Sequence, residues 1–175
     1  MGGPRSRFTF LFLLVPVFAL VFAPASHAYV RTIEGFVTQI SDGDTVTLEM
    51  RDGAKLRVRL YGIDAPEVRH DKKPGQPFSE EARWALAEKI LRKNVILTVL
   101  EGEQHKRMVG IISLGKRSIN KEMVREGWAW AYRRHLRGPY VSEFINAERE
   151  AREKKRGLWQ QSNPQPPWEF RRGTR

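Results

Sequence analysis

Apolar and polar residues alternate through two neighbouring segments in the first half of the chain, residues 45–50 and 55–61. A period of two is typical of β-strands that bury one face, and Asp52-Gly53 between the segments favours a hairpin turn. Arg59 falls at a polar position of the second segment. Its side chain is therefore predicted to point away from the apolar face, toward solvent or a ligand.

The chain on both sides of this hairpin adds further strands and helices. Stretches rich in β-branched residues predict strands, and amphipathic stretches predict helices. The strands are expected at residues 31–40, 94–100 and 107–114, and the helices at residues 79–91, 120–126 and 140–155. Ser79 is expected to cap the first helix, with Ala82, Leu86, Ile90 and Leu91 facing inward. Five short strands with interspersed helices predict a mainly β fold with α, a five-stranded OB-fold barrel with about three helices packed at its side.

The two ends of the chain differ in composition from the predicted domain, residues 29–160. Residues 1–28 contain no acid and include an apolar run at residues 8–23. This pattern is typical of a signal peptide. An uncleaved membrane anchor is the alternative, disfavoured because the run is shorter than about 20 residues and contains Pro16. The Pro-rich basic tail, residues 161–175, is expected to be extended.

We therefore expect a secreted or periplasmic protein with no stable membrane association after cleavage. At 41% hydrophobic and 29% charged residues, the composition is that of a globular domain. The chain contains no cysteine, which excludes disulfides, thiolate zinc sites and thiol redox chemistry. Its net charge of +11 favours polyanionic partners. Nucleic acid, an anionic membrane surface and acidic polysaccharide all satisfy that charge.

Candidate metal ligands lie in two short segments that the predicted sheet can bring together, Asp42–Thr45 and Arg59–Glu67. Asp44, Asp64 and a backbone carbonyl from Ala65 would supply hard oxygen ligands and leave room for water and substrate. Calcium tolerates such loose coordination better than magnesium. Each acid alone also fits a simple turn or loop, and the case for a site rests on their joint occurrence.

The same segments contain residues suited to phosphodiester hydrolysis. That reaction needs a positioned water and neutralisation of the charge on the phosphate oxygens. Glu67, three residues after Asp64, is the candidate general base. Arg59 is the candidate bidentate phosphate ligand, and Arg107 is the second. Taken singly, Arg59 also fits a solvated cross-strand partner and Glu67 a loop acid.

Aromatic residues form a second feature, because Trp128, Trp130 and Tyr132 alternate with alanines. Base stacking and core packing are both compatible with such a row. Packing is favoured for the tryptophans. Tyr132, which precedes Arg133 and Arg134, is the candidate substrate-binding residue. In the tail, Trp168, Arg171 and Arg172 are compatible with binding nucleic acid, contacting an envelope surface, or no role.

These motifs, taken in order, resemble the staphylococcal nuclease (thermonuclease) family. The resemblance rests on Ile40–Val46, Arg59–Glu67, Asn120–Gly127 and Arg156–Trp159, and it covers nearly all of Arg31–Trp159. It implies an OB-fold barrel with three helices, calcium-dependent cleavage of both DNA and RNA, and 3′-phosphate products. By position, Asp44 and Asp64 match the calcium ligands, Ala65 the carbonyl ligand, Glu67 the base and Arg59 the first phosphate arginine.

The chain departs from the family pattern just before the second arginine. The family has an acid, a basic residue, tyrosine and glycine there, whereas this chain has Glu103-Gln104-His105-Lys106 before Arg107. Loss of the glycine removes a residue that adopts turn angles freely, and loss of the tyrosine removes a possible substrate contact. Weaker substrate binding is the resulting hypothesis, with Lys106 as a partly compensating substrate-binding residue.

The sequence thus predicts an exported, monomeric, Ca²⁺-dependent endonuclease that prefers single-stranded DNA and RNA. Two alternatives stay open: an OB-type protein that binds single-stranded nucleic acid without cutting it, and a basic envelope protein that binds anionic polymers. The acids discriminate among these, because Asp44, Asp64 and Glu67 would repel phosphate unless a cation were present.

Overall fold

The computed structural model describes residues 31–69, 74–104 and 107–173. The predicted signal peptide and Lys106 lie outside these residues. The main strands are β1 (Thr32–Asp42), β2 (Thr45–Glu49), β3 (Lys55–Leu60), β5 (Asn94–Gln104) and β6 (Arg107–Leu114), and the short ones are β4 (Ile63–Asp64), β7 (Arg117–Ser118) and β8 (Trp130–Ala131). The α-helices are α1 (Ser79–Ile90), α2 (Ile119–Arg125), α3 (Tyr140–Glu153) and α4 (Pro167–Gly173), and a 3₁₀ turn covers Gly157–Gln160.

Five of the strands close into a barrel, as predicted. The sheet runs β3-β2-β1-β5-β6 through antiparallel pairs, and a parallel pairing of β3 with β6 joins its two edges. The register of that pairing sets Val58 opposite Met108 and Leu60 opposite Gly110. β7 extends the sheet beyond β6, while β4 and β8 form a separate two-stranded pair. The closed barrel confirms the predicted OB-type architecture.

The predicted alternation of the hairpin supplies the barrel interior. Val46, Leu48, Val58 and Leu60 are fully or almost fully buried, together with residues from β1, β5 and β6. Arg59 lies between two of them and stays half-buried on the other face. The period of two therefore determines which side of β3 carries the functional side chain.

Helix α1 packs against β1 and the barrel core with the face that the sequence predicts, except at the ends of the helix. Ala82, Leu86 and Ile90 are completely buried. Leu91 was expected to face inward, but it follows the last helical residue and is 36% exposed. Ser79 is the first helical residue rather than the cap, because Phe78 occupies the N-cap position.

A small aromatic cluster outside the barrel supports the C-terminal part of the chain. Trp130, Ala151, Leu158 and Trp159 are buried together, with Trp168 packed against them. The prediction of an extended tail is wrong for residues 167–173, which form α4. A helix becomes stable there because Trp168 gains an apolar surface that the sequence alone does not reveal. None of the helices in the described part of the chain is long and apolar enough to cross a membrane.

Candidate active site

The tight turn between β1 and β2 places Asp44 at the edge of the barrel. The Asp42 side chain accepts a hydrogen bond from the backbone N–H of Asp44, at 3.0 Å, which fixes the turn. Gly43 is required there, since a Cβ would lie 2.7 Å from the Cβ of Ala65 and 2.9 Å from that of Ala82. The turn is thus pressed against α1 and the Asp64 loop, and Asp44 is held in a buried position.

Arg59 links the two predicted metal-binding carboxylates. Its Nη1 donates to Asp44 Oδ1 at 2.8 Å, and its Nη2 donates to Asp64 Oδ1 at 2.7 Å. One guanidinium bridges both acids, so their oxygens converge on one small region. Burial disfavours the charged guanidinium, but the carboxylates of Asp44 and Asp64 outweigh this and raise the pKa of Arg59.

The Asp64 loop is fixed by backbone pairing on both sides of its functional residues. Asp64 pairs with Trp130 in the β4–β8 ladder and is fully buried. Ala65 donates its backbone N–H to Asp44 Oδ2 at 3.0 Å. The backbone N–H of Glu67 donates to Gln76 Oε1 at 3.0 Å, and the Glu67 backbone oxygen accepts from the Gln76 N–H at 2.8 Å. These contacts leave the Glu67 carboxylate half-buried beside Asp64.

A cavity of about 570 Å³ brings the predicted catalytic residues together. Arg59, Glu67, Arg107 and Tyr132 all line it, together with Asp44 and Ala65, whereas Asp64 is not among its lining residues. Arg107 reaches the cavity because β6 runs parallel to β3. It is the residue of β6 just before Met108, which lies opposite Val58. Burial lowers the pKa of Arg107, and the positive charges of Arg59 and Arg57 lower it further. Two positively charged guanidinium groups therefore converge on this cavity and repel each other, and an anionic ligand between them would relieve that repulsion.

One further residue of this site was not predicted from the sequence. Arg171 of α4 enters the cavity and donates to both oxygens of Asp64, at 3.1 Å from Nη1 and 2.7 Å from Nη2. Its Nη1 also donates to Glu67 Oε1. The only local signal was the spacing of Trp168 and Arg171, which places them on one face of a helix.

Burial makes the two buried carboxylates costly to keep charged. It raises the pKa of Asp44 to about 6, against the opposing charge of Arg59. It also raises the pKa of Asp64, against the hydrogen bonds from Arg171. A site of this kind favours an additional positive charge close to the acids, because such a charge stabilises their ionised form.

The donor chemistry of these residues fits a hard divalent cation. Buried carboxylate oxygens of Asp44 and Asp64 converge, as their shared guanidinium shows, and oxygen is the ligand that Ca²⁺ and Mg²⁺ prefer. Across the described residues, no group of three or more His, Cys, Asp or Glu side chains is arranged to hold a metal ion. Any ion held here would need backbone or water oxygens besides the two carboxylates, and the Ala65 carbonyl stays a prediction for that role.

Comparison with known proteins places this arrangement in a family. Residues 57–161 match the family described as Staphylococcal nuclease homologue. The chain belongs to the staphylococcal nuclease family. It is 36% identical over 150 residues to micrococcal nuclease of Shigella flexneri, covering 81% of this chain and 82% of the relative.

Two other relatives extend over most of the chain. Protein ParB of Escherichia coli is 37% identical over 161 residues, covering 87% of this chain and 86% of the relative. An uncharacterized endonuclease of Haemophilus influenzae is 35% identical over 136 residues, covering 78% of this chain and 71% of the relative. The resemblance that the motifs indicated is confirmed, and it places the chain among metal-dependent nucleases.

Proposed function

We propose that the protein is a Ca²⁺-dependent endonuclease that hydrolyses phosphodiester bonds of DNA and RNA and leaves 3′-phosphate ends. The observation that carries this proposal is the convergence of buried Asp44, half-buried Glu67 and two arginines on one cavity, with buried Asp64 held directly behind it by the Arg59 guanidinium. A protein that only binds nucleic acid gains nothing from Asp44 and Asp64, whose charge opposes phosphate binding. Family membership supports the same reaction class.

Each residue has a distinct role in the proposed reaction. Arg59 and Arg107 bind the oxygens of the scissile phosphate and oppose the negative charge that grows in the transition state. Asp44, Asp64 and the Ala65 carbonyl would hold the ion, which would supply further neutralisation of that charge. Glu67 accepts a proton from the attacking water. The water oxygen bonds to phosphorus, the 5′-oxygen departs with a proton taken up from solvent, and the phosphate stays on the 3′ side.

Single-stranded nucleic acid is the proposed preferred substrate. Arginines line the cavity and would surround a backbone phosphate, and Tyr132, which also lines it, would offer an aromatic ring for a base. A base inside a duplex is stacked on its neighbours and cannot reach such a ring without unpairing. All the residues named here come from one chain, so a monomer suffices for the proposed activity. Export through residues 1–28, to the periplasm or the medium, remains part of the proposal.

The principal alternative is an OB-type protein that binds single strands without cutting them. Digestion of an end-labelled single-stranded oligonucleotide by the chain from Tyr29 onward distinguishes the two. We expect cutting with Ca²⁺, none with chelator, and 3′ ends that a polymerase extends only after phosphatase treatment. Cutting that persists in chelator, or no cutting under any metal condition, contradicts the proposal.

A substitution of the proposed base provides the matched test. Glu67→Gln keeps the shape of the side chain but removes the proton acceptor, and we expect cleavage to fall about 10²-fold or more. Glu153→Gln, at an exposed position of α3, is the control and is expected to cut at the parent rate. Cleavage by the Glu67 variant at the parent rate would exclude the assigned base.

A further inference from the structure

Helix α4 is attached to the rim of the active-site cavity at several points. Trp168 stacks on Tyr132, with ring centroids 5.4 Å apart and planes inclined by 21°, and it meets the edge of Trp130 at 5.6 Å. Just before the helix, the backbone oxygen of Gln165 accepts a hydrogen bond from Gln76 Nε2 at 3.1 Å. These contacts fix the helix in a defined position beside the acids.

Gln76, which holds the segment before α4, also hydrogen-bonds the backbone of Glu67, the proposed general base. Gln76 binds the backbone of Glu67 through its own N–H and its side-chain oxygen. The same side chain binds Gln165 through its nitrogen. Gln76 is itself buried. A single amide therefore connects the Glu67 loop to the start of α4, so the two segments are positioned by one hydrogen-bond network.

Arg171 binds the carboxylate oxygens that the proposed reaction requires for the metal ion and for the general base. It binds both oxygens of Asp64, the proposed metal ligand, in a bidentate manner, and one oxygen of Glu67. The Asp64 side chain is completely buried, while Arg171 remains 35% exposed. The guanidinium thus supplies the countercharge for these acids from the solvent side of the cavity. Bidentate pairs of this kind are among the stronger hydrogen-bonded interactions in proteins.

A divalent cation and Arg171 compete for the same position. Both are positively charged and both need the oxygens of Asp64, so their simultaneous binding brings like charges together at one carboxylate. Trp168 meanwhile covers a face of the Tyr132 ring, which the proposed substrate would use for stacking. The helix therefore occupies the positions of the cation and of a base at the same time.

We propose that the Asp64–Glu67 pair is a binding site for the chain's own helix α4, and that Arg171 and a divalent cation exclude each other there. This inference rests on the proposed function for the identity of the cation site. Ca²⁺ and a nucleic-acid strand displace α4, and the docked helix holds the enzyme in an inactive form. The partly exposed guanidinium of Arg171 leaves Asp64 and Glu67 when a cation of higher charge takes its place.

Calcium affinity of the chain from Tyr29 onward, measured by titration calorimetry without nucleic acid, tests the exclusion. If α4 is docked in about nine molecules of ten, its release strengthens apparent calcium binding about tenfold. We expect Arg171→Ala to bind calcium about tenfold more tightly than the parent chain. Arg172→Ala removes the same charge from the exposed neighbouring position, and it is expected to stay within about twofold of the parent.

Trp168→Ala separates helix docking from the local charge of Arg171. This variant keeps the guanidinium but removes the ring that packs α4 against Tyr132 and Trp130. We expect it also to bind calcium more tightly than the parent chain. Hydrogen exchange of residues 167–173 gives a second readout. Calcium is expected to accelerate exchange there in the parent chain, whereas in Arg171→Ala the exchange is already fast without calcium.

Several outcomes would overturn the proposal. Calcium binding that is unchanged or weakened in Arg171→Ala would show that the arginine and the ion do not compete for Asp64. Protection of α4 that persists at saturating calcium would show the same. A chain that binds no calcium in any variant also excludes the competition. Calcium binding that follows the expected order without any cleavage of nucleic acid would instead overturn the proposed function and leave the exclusion standing.

Discussion

Arg59 and Asp64 form an ion pair with an Nη2–Oδ1 distance of 2.7 Å, although Asp64 is completely buried. The other terminal nitrogen of the same guanidinium binds Asp44. A planar fork is needed to bind two carboxylates, or two phosphate oxygens, in this way, and a lysine ammonium does not have that shape. The pair therefore serves both the stability of the cation-free site and the proposed binding of phosphate.

Arg59→Lys tests this double role. We expect nucleic-acid cleavage to fall about 10²-fold, because the transition state loses a bidentate ligand. We also expect a lower melting temperature in chelator, since two buried acids lose their bridging partner. Arg51→Lys, on an exposed residue paired with Glu34, is the control and should change neither quantity. A parent-like cleavage rate in the Arg59 variant would remove this residue from the proposed mechanism.

The contribution of Arg107 is expected to be electrostatic, because it lines the cavity without the bridging geometry of Arg59. Arg107→Ala should lower cleavage about 10- to 100-fold and weaken binding of a single-stranded oligonucleotide in the presence of calcium. Loss of one phosphate contact should also reduce the salt dependence of that binding, by about 0.7 in the log–log slope. Lys116→Ala, an exposed cation on the β6–β7 turn, is the charge-matched control. An unchanged turnover would show that the second arginine is wrongly assigned.

The parts of this site that could be predicted are those encoded by neighbouring residues. The alternation around Arg59 determines its face of β3. The Asp42-Gly43-Asp44 turn needs glycine at its centre, because a side chain there would clash with Ala65 and Ala82. These are short-range relationships, visible as a motif. Arg59 lies beside Asp44 because β3 pairs with β2 and sets Arg59 opposite Thr45. Asp64 and Glu67 follow Arg59 within eight residues along the chain.

The contact of Arg171 with Asp64 could not be predicted in this way, since 107 residues separate them. Proline-rich residues before α4 favour extended chain, and the seven-residue helix has little stability of its own. Its stability comes from Trp168 against Trp130 and Tyr132, a tertiary contact without a local sequence pattern. The two-residue strands β4 and β8 were missed for the same reason, because pairing rather than propensity creates them.

Closure of the barrel depends on a fully buried side chain, that of Asn120. Its Nδ2 donates to the backbone oxygens of Tyr61 and Gly110, and its Oδ1 accepts from the Ile112 N–H at 2.9 Å. These bonds connect the end of β3 to β6, the strand that carries Arg107. Asn120 is therefore a structural residue in the motif that indicated the family.

Asn120→Ala removes the side-chain acceptor of the Ile112 N–H and one hydrogen bond from each of two backbone oxygens, of which that of Gly110 still accepts from the Tyr61 N–H at 2.8 Å. We expect a loss of about 3 kcal/mol in the free energy of unfolding, because an unsatisfied N–H costs about 1–3 kcal/mol and each further lost hydrogen bond costs about 0.5–1.5 kcal/mol. Urea denaturation in chelator measures the effect. Asn146→Ala, at an exposed position of α3, is the control and should stay within about 0.5 kcal/mol of the parent. Equal stability of the two variants would mean that water replaces the amide of Asn120.

Glu122 gives the stability of the protein a predictable dependence on pH. Its carboxylate is largely buried and accepts hydrogen bonds from Arg117 Nε, at 2.8 Å, and from Arg117 Nη2. The hydrogen bonds from Arg117 lower the pKa of Glu122 below its ordinary value of 4.5, against the opposing effect of burial. The folded protein therefore binds this proton less readily than the unfolded chain does.

The sign of the effect follows from that difference. A carboxyl group whose pKa is lowered by folding stabilises the protein at any pH above the pKa that it has in the unfolded chain. This contribution disappears as the pH falls through the pKa that it has in the folded protein. Glu122→Gln is thus expected to be less stable than the parent at pH 7, with a gap that closes as the pH falls below 4.5. Urea denaturation at several pH values measures the gap. In an Arg117→Ala background the same substitution should produce a smaller gap in stability with a weaker pH dependence. A gap that stays constant down to pH 3, about a unit and a half below the ordinary pKa of a glutamate, would contradict the assigned ion pair.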